Sequence, residues 1–312
     1  MKLSIVTPSY NQGSYIGDTI RSVLSATRSP DEYFVIDGGS NDGSIETIRK
    51  YQGSITKWVS EPDNGQADAI NKGLRLCNGD IIGWLNSDDL VLSHTFERVL
   101  AIFEQNPHAV IVYGDVLSIN EHGETINLQR FKQFTLPDLM AFNIISQPAV
   151  FFRRSALQAA GLLDETFHYL LDHHLWLRLA QQGSMVYVPE TFAAARYHPE
   201  AKNIAHTQQF GKEAFRIMEW MRDDPKLGSL FAKHNKKIES GAYRLDGYYQ
   251  LEGGYFWQGL ASYGKAIIIQ PVVLALEWKH LVYAVLGLAG LQRAKQVYKQ
   301  VRKKRYEQPT QK

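Results

Sequence analysis

The chain has a single cysteine, Cys77, which excludes an internal disulfide and any thiolate-held metal cluster. It shares an apparent helix face with Ile70 and Leu74 and reads as a small core residue. Long hydrophobic runs are missing too. No stretch reaches the roughly 18 apolar residues of a spanning helix. The nearest, 266–291, is broken by Gln270, Pro271, Glu277, Lys279 and His280. The start, Met1 to Pro8, is too short and too soon interrupted for a secretory leader, so folding is expected to begin in the cytoplasm.

Net charge is nearly absent, +2 over 312 residues, but it is unevenly shared. Residues 293–312 carry eight basic side chains against Glu307 alone, which leaves the remainder at −5. No nucleic-acid partner is expected, because the basic stretch comes without a matching fold motif and with an acidic remainder. An anionic membrane surface is the partner that such a tail suggests. Trp278, Tyr283 and the apolar 281–291 before it fit a helix lying on lipid, which places the protein on the inner face of the cell membrane as a peripheral protein. A helical bundle packed on the rest of the chain explains the same residues equally well. What remains, 44% hydrophobic and 21% charged, is ordinary globular composition with room for one large domain and an appendage.

The first half alternates strand and helix signals. Leu3 to Val6 reads as a strand closed by Thr7-Pro8, and Ser14 is placed to cap a helix with apolar residues at Ile16, Ile20, Val23 and Leu24. Tyr33 to Ile36, Trp58-Val59 and Ile81 to Leu85 read as further strands, with helices from about Ser44 to Tyr51 and over 66–77 between them. Such alternation implies right-handed crossovers and a mainly parallel sheet flanked by helices, with the turns after the strands gathered on one edge. A helix to about Gln105, a strand at Val110 to Tyr113, a hairpin around Glu121 to Glu124 and a strand at Pro148 to Phe152 follow. Next comes a helix from Leu170 to Gln182, stopped by Gly183. Beyond about residue 200 strand signals vanish. The expected division is therefore an α/β domain over 1–200 and a helical C-terminal region with a basic tail over 201–312. Residues 243–271 loosely match one tetratricopeptide unit, too little for a repeat protein.

Acid stands where the strands end. Trp84-Leu85-Asn86-Ser87-Asp88-Asp89 runs from an apolar strand into adjacent carboxylates. The carboxyl edge of an open α/β sheet is where ligands bind, and hard oxygens there suit Mg²⁺ or Mn²⁺ rather than zinc. Three other segments share that edge: Val6-Thr7-Pro8-Ser9-Tyr10-Asn11, Val35-Ile36-Asp37-Gly38-Gly39-Ser40-Asn41-Asp42-Gly43-Ser44, and Glu61-Pro62-Asp63-Asn64-Gly65 with Ala69, Asn71, Lys72 and Gly73. In this order the set resembles glycosyltransferase family 2, the inverting family with the GT-A fold, over about residues 1–200.

The resemblance implies a metal-dependent transferase of hexosyl type that moves a sugar from a nucleotide sugar to an acceptor hydroxyl. UDP is the favoured carrier. The acceptor is a saccharide or a lipid-linked molecule, as in assembly of bacterial surface polysaccharide or glycolipid. It also implies roles. Thr7, Pro8 and Tyr10 hold base and ribose; Asp37 reads the base; Asp63 and Lys72 complete the nucleotide site. Asn86-Ser87-Asp88 takes the place of the family's Asp-x-Asp motif, with an asparagine for the first acid, so Asn86 orients the ribose while Asp88 holds Mn²⁺ or Mg²⁺. Asp172 opens the stretch Leu171 to Leu179 and stands as general base, with His173 and His174 as rivals. Asp89, Gln147, His173, Trp176 and Arg196 fall to the acceptor and sugar side, and His198 to the metal. Asp42 reads as a helix cap. Asn86 and Leu171 depart from the family pattern, and they favour the alternative of a catalytically silent nucleotide-sugar-binding scaffold.

Overall fold

The computed structural model describes residues 1–290, and the expectations placed on the basic stretch 293–312 lie outside the described residues. Two compact units divide the chain. The first takes 1–124, 128–135 and 145–196; the second takes 125–127, 136–144 and the chain from Tyr197 onward.

The first unit is built on a sheet. Its elements in chain order are β1 (Leu3–Ser9), α1 (Ile16–Leu24), β2 (Glu32–Asp37), α2 (Ser44–Lys50), β3 (Lys57–Ser60), α3 (Gln66–Leu76), β4 (Ile81–Trp84), β5 (Leu90–Val91), α4 (Thr95–Gln105), β6 (Ala109–Asn120) and β7 (Thr125–Gln129). After a short helix α5 (Leu136–Met140) come β8 (Val150–Arg153), α6 (Arg154–Ala160), α7 (Leu171–Leu179) and β9 (Ser184–Tyr197). The strand order is β3-β2-β1-β4-β8-β6-β9-β5, with β7 paired to β6. Strands β3, β2, β1 and β4 run parallel, as the alternation with helices requires. From β8 on the sheet turns antiparallel, at β4–β8, β6–β8 and β5–β9. The sheet is therefore mixed rather than mainly parallel.

Several local expectations move. β1 continues through Pro8 to Ser9, where Pro8 pairs in register with Ile36. The Val6 carbonyl takes the Leu85 N–H at 2.8 Å, so alternate residues, Pro8 among them, turn their backbone toward β4. Pairing with β4 ends at Val6–Trp84, so the proline's missing N–H falls where no ladder partner stands. Ser14 caps nothing: α1 begins at Ile16 without a side-chain cap, and the Gln12 carbonyl receives the N–H groups of Tyr15 and Ile16. Residues 147–149 form a 3₁₀ turn ahead of β8, and α7 is shorter than its apolar pattern, ending at Leu179. The fourteen-residue β9 carries no clean alternation in its sequence and adds a strand that the pattern of residues does not announce.

The core of this unit gathers Ile5, Val35, Ile81, Phe96, Val112 and Phe151 from strands and helices alike, all buried. Cys77 is buried, and burial pushes its thiol up to about 12, so it is inert packing.

The second unit is helical: α8 (Lys202–Ala205), α9 (Thr207–Asp223), α10 (Gly228–Glu252), α11 (Phe256–Ile269) and α12 (Val272–Leu288). Leu251, Phe256, Tyr263, Ala266, Val273 and Ala284 form its core. Gly241 admits the backbone of Ala141 so closely that a Cβ would stand 2.7 Å from the carbonyl carbon. Lys237 reaches Asp138 at 2.7 Å and Arg244 reaches the Phe142 carbonyl at 3.2 Å, which fixes residues 136–144 to α10. The helix pair over 243–269 packs through Gly247 on Tyr263 and Gly259 on Leu251, a single helical hairpin. Among the described residues no helix is long and apolar enough to cross a membrane.

Candidate active site

The four parallel strands end together, and the loops after β1, β2, β3 and β4 carry the motifs. The placement of each side chain separates those at the surface of this edge from those that build it.

Tyr10, directly after β1, is 61% exposed, whereas Thr7 is fully buried with its hydroxyl 3.1 Å from the Tyr33 phenol of β2. Thr7 therefore ties two strands and does not face a ligand, contrary to expectation. Asp37 also differs. Its carboxylate is wholly buried and accepts from Gly39 N–H (3.1 Å), Ser40 N–H (2.9 Å), Ser40 Oγ (2.6 Å) and Ser60 Oγ (2.7 Å). Three of these bonds fall on Oδ2 and one on Oδ1, which ties the buried carboxylate to its own turn and to the end of β3. Asp37 holds the glycine turn in shape rather than presenting itself to a base. Asp42 serves the start of α2, accepting from Ser44 N–H at 3.1 Å and from Gly13 N–H at 2.7 Å. Burial pushes its carboxyl upward, but these donors outweigh that and hold it below the usual range.

Asp63 stands half-buried three residues past β3, with its carboxylate over Gly38. Lys72 is engaged by protein partners. Its ammonium meets Glu61 at 3.1 Å, Asp68 at 3.4 Å and the Pro62 carbonyl at 3.3 Å. Burial works against that charge, but the Glu61 and Asp68 partners more than offset it and leave the Lys72 pKa raised. Lys72 thus clamps the loop that carries Asp63. Asn71, also in α3, is buried and bonds the Leu163 backbone through both its oxygen and its nitrogen at 3.0 Å. Gln66, at the start of α3, donates to Asn86 Oδ1 at 3.0 Å. Asn71 belongs to the motif, but its partner Leu163 is 92 residues away, and Gln66 has no sequence signal beyond proximity to the motif.

After β4, Asn86 donates in turn to Asp89 Oδ2 at 3.4 Å. Asp88 is half-buried, while Asp89 is 5% exposed and accepts from the Arg196 N–H at 2.9 Å. Burial first, and the charge of Asp88 second, raise the Asp89 carboxyl well above the ordinary range. Arg196 departs from its expected place at the acceptor side, since its side chain is 2% exposed. It donates to the Asp88 carbonyl at 2.9 Å and the Glu121 carbonyl at 3.1 Å, and lies over the Tyr15 ring at 5.0 Å. Asp89 and Arg196 together lock β9 onto the acidic turn, and neither faces an open sugar pocket. His198 is buried and belongs to the second unit.

Asp172 lies in the first turn of α7, half-buried, and accepts from the His173 N–H at 2.7 Å. His173 and Trp176 are fully buried and so do not line an acceptor groove. Trp176 instead stacks on Trp84 with centroids 5.1 Å apart and planes at 22°, and it leans on Phe152 at 5.7 Å. Such a pair contributes about 0.5–1.5 kcal/mol beyond area burial. Its ends matter more: Trp84 lies two residues before Asn86, and Trp176 lies one helical turn after Asp172. The stack joins the strand that delivers the acidic turn to the helix that begins with Asp172. Gln147 supports the same strand, donating to the Trp84 carbonyl at 2.7 Å while its Oε1 stays buried without a partner. Among the described residues no three His, Cys, Asp or Glu side chains come together as a ready metal cage.

The chain is similar in sequence and fold to glycosyltransferases. The pattern of glycosyl transferase family 2 matches residues 4–161. An uncharacterized glycosyltransferase of Rickettsia typhi is 26% identical over 210 residues, 63% of this chain and 64% of its own length. Chondroitin synthase of Escherichia coli is 25% identical over 189 residues, 60% of this chain and 27% of that enzyme. The chain thus spans less than two thirds of the length of these relatives. Residues 1–349 of TarS from S. aureus, solved with UDP-GlcNAc, superpose with a TM-score of 0.64 at 17% identity, covering 96% of this chain and 92% of that one. The mannosyltransferase PcManGT of Pyrobaculum calidifontis, solved with GDP-Man and Mn²⁺, gives 0.59 at 15% identity over 93% and 86%. The mixed sheet with flanking helices is the GT-A architecture that these structures share. Because the sequence pattern covers just over half of the chain and starts within β1, the chain belongs to glycosyl transferase family 2.

Proposed function

We propose that the protein is an inverting, metal-dependent hexosyltransferase that moves a sugar from a nucleotide sugar, with UDP as carrier, to the hydroxyl of a saccharide or lipid-linked acceptor. The observation that carries this reading is the aromatic stack. It couples the turn Asn86–Asp89 at the end of β4 to the helix that opens with Asp172. Donor and base machinery are then two ends of one rigid piece. Support for the carrier comes from TarS, which was solved with UDP-GlcNAc. The catalytic part takes residues 1–200, followed by a second region over 201–312.

Asp172 deprotonates the acceptor hydroxyl as that oxygen attacks the sugar from the face opposite the leaving diphosphate. Its place in the first helical turn favours the ionised form, and the buried Leu171, His173 and Leu175 beside it oppose that by excluding water. For the metal, the residues present fit a hard divalent cation. Asp88 supplies a half-buried carboxylate oxygen just past the end of β4. Asp88 would hold Mn²⁺ or Mg²⁺ with the donor's diphosphate oxygens and water completing the shell. When bound, the ion neutralises the leaving nucleoside diphosphate. Gln147 is the acceptor contact we propose.

A membrane-facing role for the second unit is supported by exposed apolar side chains on α12. Leu276, Val272, Val285 and Trp278 are 67%, 59%, 58% and 54% exposed, and the basic stretch follows them. This suits a peripheral protein at the cytoplasmic face, working on a lipid-linked acceptor in surface polysaccharide assembly.

Thermal unfolding with UDP, GDP, dTDP and CDP, each with and without Mn²⁺, tests the reading. A ligand at 100 times its dissociation constant stabilises by about 2.7 kcal/mol. We expect the largest shift with UDP plus Mn²⁺. No shift with any nucleoside diphosphate would refute the proposal.

A further inference from the structure

The end of β2 has an acidic side chain that faces inward and a glycine that has none. The wholly buried Asp37 carboxylate accepts from Gly39, Ser40 and Ser60, three times at Oδ2 and once at Oδ1. The next residue, Gly38, donates its N–H to the Ser9 carbonyl at 2.8 Å and leaves a bare backbone surface between the ends of β1 and β2. Another carboxylate fills that space. A Cβ placed on Gly38 would meet Asp63 first, standing 2.9 Å from its Cγ. Gly38 does not have a positive φ, so its backbone conformation is open to a side chain, and the Asp63 carboxylate is what stands nearest to that position.

Asp63 is held in place. The Glu61 N–H bonds the Asp37 carbonyl at 3.0 Å, Lys72 grips Glu61 and the Pro62 carbonyl, and Asp63 Oδ1 accepts from Gly65 N–H at 2.9 Å. Its Oδ2 is the carboxylate oxygen nearest to where the Gly38 Cβ would stand. Tyr10 follows Ser9 at the same strand end, its ring 61% exposed. An exposed aromatic residue after β1 and an immobilised carboxylate beside the end of β2 make a site for a planar base with an N–H on its edge.

We propose that Asp63, and not Asp37, selects the nucleobase, accepting the N3–H of a uracil ring above Gly38. This rests on the nucleotide reading of the strand edge and names the residue that sets its specificity. Uracil presents a donor at N3. Cytosine presents a lone pair there, which an ionised carboxylate repels, so the slot prefers UDP to CDP.

Calorimetric titration of UDP and CDP in the presence of Mn²⁺ tests the assignment on wild type, Asp63→Ala, Asp63→Asn and the exchange pair Gly38→Asp with Asp63→Gly. We expect Asp63→Ala to weaken UDP binding by roughly 10- to 100-fold, the range of one hydrogen bond to a charged group. Asp63→Asn keeps an oxygen for Gly65 and should lose most of the preference for UDP over CDP while leaving the unfolding midpoint near wild type. The exchange pair returns a carboxylate to the same space and should recover that preference, where Asp63→Gly alone does not. Wild-type affinity and an unchanged UDP-to-CDP ratio in Asp63→Ala and Asp63→Asn would overturn the assignment and leave the nucleotide site intact. A wild-type protein that binds neither nucleotide would overturn both.

Discussion

Replacing Asp37 by asparagine separates a residue that holds a turn from one that holds a ligand. The carboxylate is fully buried and accepts four hydrogen bonds, three on Oδ2 and one on Oδ1. In Asp37→Asn the amide oxygen can take the Oδ2 place, and the Ser40 hydroxyl can rotate to accept from the new NH₂ group. Three bonds then remain but lose their charge, falling from about 1.5–3 to about 0.5–1.5 kcal/mol each, a loss near 3 kcal/mol. A neutral amide costs less to bury than a carboxylate, which returns part of this, so we expect a net destabilisation of about 2 kcal/mol. Asp37→Ala strands four donors at about 1–3 kcal/mol each, so it should lose at least 4 kcal/mol. Urea denaturation followed by tryptophan fluorescence gives both values, and UDP affinity is measured on the folded protein at low temperature. We expect Asp37→Asn to lower the unfolding midpoint while leaving UDP affinity within a few-fold of wild type. An unchanged midpoint with UDP binding abolished would refute the reasoning and return the base to Asp37.

Two further substitutions test the acidic turn and the helix that faces the acceptor. Asp88→Asn should abolish the Mn²⁺-dependent part of UDP binding and at the same time stabilise the ligand-free protein near pH 7. Because the folded Asp89 carboxyl lies above its unfolded value, the stability linked to it is complete below the unfolded carboxyl range and is lost as pH rises through the folded pKa. Removing the Asp88 charge shrinks that loss, so the melting temperatures of the two proteins should converge toward pH 4 and separate with the variant higher at pH 7; parallel curves would sink the coupling. Asp172→Asn should keep UDP affinity and cut sugar transfer by about 10²–10⁴-fold; near-normal transfer would exclude Asp172 as the base.

Much of this protein is written locally. The strand and helix alternation of residues 3–85 is legible because apolar period and turn residues agree there, and the ordered motifs at Tyr10, Gly38, Asp63 and Asn86–Asp89 carry the family resemblance in the order of residues alone. Residues 184–197 form a long strand whose side chains do not alternate cleanly, so only pairing with the rest of the sheet reveals it. The direction of β8, β6 and β9 is likewise set by their partners, and so the sheet is mixed.

Sequence alone determined which residue types stand at the strand ends, because strand periodicity and chain order put them there. Tertiary structure decided which of those side chains turn outward. Thr7, Asp37, Asp89, Arg196, His173 and Trp176 carry chemistry suited to a ligand, yet each is buried inside the fold. A buried polar group without a partner costs several times what a paired one contributes, so the neighbours that packing supplies determine its task, and those neighbours come from distant parts of the chain. Asp63 is the converse case. Its spacing marks only a turn, and it gains a specific surface because Gly38, 25 residues earlier in the chain, leaves room for it.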